Sequence, residues 1–102
     1  MVRVTLHMKV QADRASDFER AWNDVAAQAA SFPGSLRQSL ARDLDDASSF
    51  VVTSDWATKG AFHLYERSRE QDDLVAPLRE LRESVTMTIH ELLVHRESAP
   101  QP

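Results

Sequence analysis

The chain has no cysteine. That removes disulfides, thiolate nucleophiles and zinc-thiolate sites from the available chemistry and suits a reducing compartment. It also lacks any apolar run approaching the length of a membrane span. No leader pattern opens it, because Met1-Val2-Arg3 leads straight into alternating strand residues. A cytoplasmic protein with no membrane partner is the expectation. A basic stripe is missing too: 16 acidic residues outnumber 12 basic ones, for a net charge of -4, and both signs are spread along the chain. Nothing in that distribution would track a phosphate backbone, so no nucleic acid partner is expected. Internal repeats and low-complexity segments are absent, and 102 residues leave room for a single core. One domain over residues 1–96 is expected, with a flexible C-terminal tail over 97–102.

What is present is strong periodicity. Val2, Val4, Leu6, Met8 and Val10 alternate with Arg3, Thr5, His7 and Lys9, the period of a strand with two different faces. Ser16-Asp17-Phe18-Glu19 reads as a capping box, and Phe18, Trp22, Val25, Ala29 and Phe32 then fall on one helical stripe that Pro33-Gly34 ends. Residues 35–43 form a polar strand suited to a sheet edge, and the turn formers of 44–48 join it to the strand Phe50 to Trp56 as a hairpin. Thr58 is placed to cap a short helix through Arg67. Ser68-Arg69-Glu70-Gln71 reads as a second capping box, opening a helix that buries Leu74, Leu78 and Leu81, with Pro77 near its start or kinking it. Val85, Met87 and Ile89 alternate with polar residues in a last strand, after which Leu92-Leu93-Val94 is apolar on both faces, as where a strand end is covered twice or carries a bulge.

The order is βαββαβ, which makes the fold class α+β and ferredoxin-like: a four-stranded, mainly antiparallel sheet with helices on one face. The helix-side face collects Val2, Val4, Leu6, Met8, Phe50, Val52, Trp56, Val85, Met87 and Ile89. The other face carries Thr5, His7, Lys9, Val51, Thr53, Asp55, Thr86, Thr88 and His90, which is too apolar in places for plain water. A homodimer that packs these sheet faces together, a dimeric α+β barrel, covers it economically.

Strand and helix periodicity bring Trp56, Phe62 and Tyr65 together over one sheet end, the lining of a pocket for a flat, apolar molecule. Trp22, Leu6, Met8, Phe50, Leu78 and Met87 supply apolar walls, while Gln38 and Ser54 face the same side and can hydrogen-bond a substrate carbonyl or neighbouring backbone. Trp56 can donate its indole N–H to a developing oxyanion, or simply cap the sheet. Tyr65 offers a hydroxyl donor. His63 is the most plausible proton acceptor, since imidazole titrates near neutral pH, although Phe62 and Tyr65 mark the buried side of this helix and turn His63 partly away. His7 and His90 share the outer face with Asp55 as the one conceivable third ligand, so no metal site is expected. Asp43, Asp45 and Asp46 lack the spacing of a calcium loop and read as a solvated turn.

Four stretches together resemble the antibiotic biosynthesis monooxygenase domains, which are small dimeric α+β barrels. They are Phe32-Pro33-Gly34 closing the first helix, Ser54-Asp55-Trp56 ending the third strand, Ala61-Phe62-His63 beginning the next helix, and Leu78-Arg79-Glu80-Leu81. The resemblance implies a cofactor-independent monooxygenase of an aromatic polyketide, phenolic or anthrone substrate, with O2 as the second substrate and no flavin, metal or haem. In that chemistry the deprotonated substrate passes an electron to O2, radical recombination gives a peroxide, and loss of water leaves a quinone. Trp56 matches the functional tryptophan of such members, with Tyr65 and His63 beside it as the other catalytic candidates. Val52 and Phe62 stand where some members carry asparagine and tyrosine. The loss of those polar groups favours the alternative of a non-oxidative, polyketide-binding or cyclase-like protein of the same fold. The haem-degrading branch fits less well, because Tyr65 stands nearest to where it needs a histidine.

Overall fold

The structure is a computed structural model that describes residues 1–69 and 76–99. Four strands, β1 (Val2–Val10), β2 (Ser35–Arg42), β3 (Ser49–Trp56) and β4 (Arg82–Glu91), form one antiparallel sheet in the order β2-β3-β1-β4. Helices α1 (Ala15–Ala29), α2 (Lys59–Arg69) and α3 (Ala76–Leu81) accompany it. The ferredoxin-like α+β expectation is met, and the polar β2 does lie at an edge.

Alternation carries through to packing. On the helix side, Met8, Val10, Phe50 and Val52 are buried with Phe18 and Val25 of α1 and Leu78 and Leu81 of α3, while Val4 and Trp56 are buried with Phe62 of α2. At about 25 cal/mol per Å² of apolar surface removed from water, side chains of this size supply the main favourable term of folding. Val85 and Met87 depart from the expected core, remaining 37% and 45% exposed. They belong to β4, the edge strand opposite β2, so each has sheet on one side only.

Helix ends also differ in detail. The Ser16–Glu19 capping box does not form, because a 3-10 turn over Ala12–Arg14 enters α1 before Ser16, which is already helical. Asp17 instead accepts from Arg14 at 2.7 Å and also binds Arg20. α1 stops at Ala29, three residues before Phe32; a turn then carries Phe32 through a bond from its N–H to the Ala29 carbonyl at 3.1 Å. Gly34 closes this turn at φ 88°, and a Cβ there would lie 2.6 Å from that of Ala61. Only glycine satisfies both conditions. Thr58 does cap α2, accepting from Ala61 N–H at 3.0 Å. Ser68 does not open a new helix. It sits in the last turn of α2 and donates to the Tyr65 carbonyl at 2.7 Å. Gln71 and Leu74 lie outside the described residues. Pro77 falls in the first turn of α3, where a missing N–H is tolerated.

In the β2–β3 turn, Asp46 accepts from Ser48 and pairs with Lys9, which anchors the loop to β1 and holds the Asp46 carboxyl below its ordinary pKa. Past β4, Leu93 and Val94 are 82% and 76% exposed, so this chain does not supply the double cover expected for them, and the β1–β4 register shift lies at the other end of the pair, at Lys9/Val10.

Candidate active site

The end of β3 delivers Trp56 to a ring cluster. Its indole is fully buried, with Tyr65 at 4.9 Å, Phe62 at 5.9 Å and Phe32 at 6.3 Å between ring centroids. Tilted and edge-on contacts of this kind add to the burial of the rings themselves. The indole N–H donates to Ser54 Oγ at 3.0 Å, two residues back on the same strand face. Trp56 and Ser54 thus satisfy each other inside the core.

Beside this cluster, and sharing Phe62 and Tyr65 with it, is a cavity of about 350 Å³. Its apolar walls are Leu6 and Met8 from β1, Val25 from α1, Phe62 from α2, Leu78 from α3 and Met87 from β4. Tyr65, Glu66, Arg79 and Arg82 complete the lining with polar groups. The volume suits a small fused-ring molecule. Glu66 Oε1 lies 3.3 Å from His63 Nδ1, and the His63 ring sits 5.6 Å from that of Phe62. Burial in the wall, with the Arg79 charge beside it, lowers the Arg82 pKa from the ordinary guanidinium value.

Of the residues expected at a site, Leu6, Met8, Phe62, Tyr65, Leu78 and Met87 converge on this cavity. Trp56 and Ser54 stand behind the Phe62 and Tyr65 wall, and His63 lies against the lining residues Phe62 and Glu66 without lining the cavity itself. Phe50 packs against Phe18 with centroids 5.1 Å apart, in the core. Trp22 and Gln38 line a different groove, between α1 and β2, where Gln38 donates to Ser35 Oγ at 3.2 Å. Four lining residues were not anticipated: Val25, Glu66, Arg79 and Arg82. Val25 was on the α1 stripe, and Glu66 follows Phe62 by four residues, so helical spacing alone could have located both.

On the other sheet face, Arg3 grips Asp55 through Nε and Nη2 at 2.8 and 3.0 Å. Asp55 is only 2% exposed, and the Arg3 hydrogen bond holds its carboxyl below the ordinary range. His7 and His90 do not meet: His7 is opposite Thr86 and His90 opposite Arg3, four residues apart or about 13 Å along β4. Among the described residues no group of three acidic or histidine side chains could hold a metal ion. No helix of the described residues is long and apolar enough to cross a membrane.

Residues 1–77 match the family model described as antibiotic biosynthesis monooxygenase. The chain belongs to that family. Among curated proteins, the family chain is 29% identical over 77 residues to the 42.8 kDa protein in the whiE locus of Streptomyces coelicolor; the match covers 76% of this chain and 19% of that protein. Among solved structures, a protein from Nitrosomonas europaea assigned to the same family superposes with a TM-score of 0.82 at 18% identity, covering 92% of this chain and all of that one (100%). SnoaB, a cofactor-independent oxygenase from Streptomyces nogalater, gives a TM-score of 0.74 at 24% identity over 98% of this chain and 97% of its own. Likeness at these identities establishes the monooxygenase-family fold.

Proposed function

We propose that this protein is a cofactor-independent monooxygenase that oxidises a phenolic or anthrone-type ring system, of the aromatic polyketide class, to a quinone with O2. The observation that carries the reading is the cavity beside the Trp56 cluster, apolar on most of its walls and bordered by Tyr65 and Glu66. Apolar walls hold the rings and exclude water, which strengthens every polar interaction left inside. Glu66 accepts the substrate's acidic proton, with His63 behind it at 3.3 Å to share the charge. Tyr65 stabilises the resulting oxyanion by donating a hydrogen bond. The substrate anion is itself the reductant: one electron passes to O2, the radical pair joins as a peroxide, and elimination of water forms the new carbonyl. Trp56 acts by holding Phe62 and Tyr65 rigidly in place, because its own N–H is engaged by Ser54.

That same engagement favours a second reading. With the Trp56 N–H turned to Ser54, and Val52 and Phe62 apolar, a binding or cyclase-like role needs only the walls. O2 consumption separates the two. Purified protein with anthrones and dihydroxynaphthalenes should take up O2, and Tyr65→Phe should slow that uptake about tenfold to a hundredfold while leaving ring binding intact. Ring binding without any uptake would establish the second reading. The family's dimer also belongs to this proposal: Leu93, Val94 and the outer strand face are the surfaces a second copy would cover.

A further inference from the structure

The register of β4 contains one irregularity. Lys9 is opposite Ser84 but Val10 is opposite Arg82, so Glu83 is an extra residue in β4. Counting back from inward-facing Val85, unbroken alternation would send Arg82 to the outer face. The bulge reverses this. Arg82 now shares the inner face with Val10, which is 1% exposed, and joins Leu6, Met8 and Met87 in the cavity wall. Bulges re-aim single side chains in this way, and often do so beside active sites.

A guanidinium set into an apolar wall needs a counter-charge. Among the described residues the Arg82 side chain forms no hydrogen bond or ion pair, its charged neighbour on the lining is the like-charged Arg79, and Glu66 is engaged with His63. We propose that Arg82 is an anion-recognising residue of this cavity, so that the ligand is a ring system bearing a carboxylate. The planar fork of arginine matches the two oxygens of a carboxylate, whereas a phenolate offers one. This inference rests on the reading of the cavity as a ring-binding pocket, and adds a second, fixed anchor away from the reacting position.

The test uses a matched pair, 3-hydroxy-2-naphthoate and its methyl ester, with binding to the purified protein measured by calorimetry under anaerobic conditions so that no turnover intervenes. The wild type should bind the acid about tenfold or more tightly than the ester. Arg82→Gln should abolish that preference while leaving ester affinity unchanged, and Arg82→Lys should restore part of it. Unaltered thermal melting would show that the variants fold. Equal binding of acid and ester by the wild type, or a preference that survives Arg82→Gln, would overturn the assignment to Arg82 and leave the ring pocket standing. Failure of both probes to bind would overturn the pocket and this inference together.

Discussion

The helix side of the sheet has two ends, and they are finished differently. Over β3, Trp56, Phe32, Phe62 and Tyr65 close ring on ring, and the indole has no exposure at all. Over β4, Met87 keeps 45% of its surface exposed, Val85 keeps 37%, and a cavity opens between Met87 and the helices. Both ends are built from the same alternating pattern. The difference is position: β3 has a neighbour on each side, whereas β4 has one. Stability concentrates where the sheet is central, and space for a ligand is left where it runs out.

Substitutions should expose this contrast. Trp56→Ala should have the largest effect, a loss of about 3–5 kcal/mol by urea denaturation, because it empties a site with no route for water and strands the Ser54 hydroxyl. A loss below about 1 kcal/mol would mean that the closed end is not the stable one.

Asp55, next to Trp56 on β3 but facing the opposite side, should come second. Asp55→Asn should cost about 1–3 kcal/mol near neutral pH, since it leaves Arg3 without its charged partner. The sign with pH follows from the depressed carboxyl. The Arg3–Asp55 contribution is fully present above the ordinary aspartate range and disappears as pH falls below about 4 toward the folded-state value. Wild type and Asp55→Asn should therefore converge in acid, and parallel stability curves from neutral pH down through that range would contradict the assignment.

Met87→Ala should be smallest, below about 1 kcal/mol, because the side chain is already half in solvent. Its effect should instead appear in ring binding. A large stability loss with unchanged binding would reverse the comparison between the two ends.

Much of this was legible in the residues. The alternation of β1, the α1 stripe, the Thr58 cap and the β2–β3 hairpin are local signals, and the fold assembles from them directly. Six of the cavity residues were legible for the same reason, since each sits at the expected phase of its own element. What escaped depended on offsets that no single element reveals. The 3-10 turn before α1 displaced the cap by two positions. The lateral placement of α1 put Trp22 and Gln38 in a separate groove. Trp56 was expected at the ligand, but its N–H donates to its own strand neighbour, Ser54. The exposure of Val85 and Met87 follows from strand order, which periodicity does not encode.

Arg82 was hidden most completely, because counting by twos places it on the wrong face. The bulge takes Glu83 out of the ladder, so that Arg82 pairs with Val10 and the positive charge is on the inner face. Deleting that residue would remove the bulge and leave Arg82 beside Ser84, still opposite Val10 on the inner face. The bulge thus lets β4 carry one residue more or one fewer at this point without moving the positive charge off the inner face, so related chains can differ in length here while the cavity wall keeps its composition.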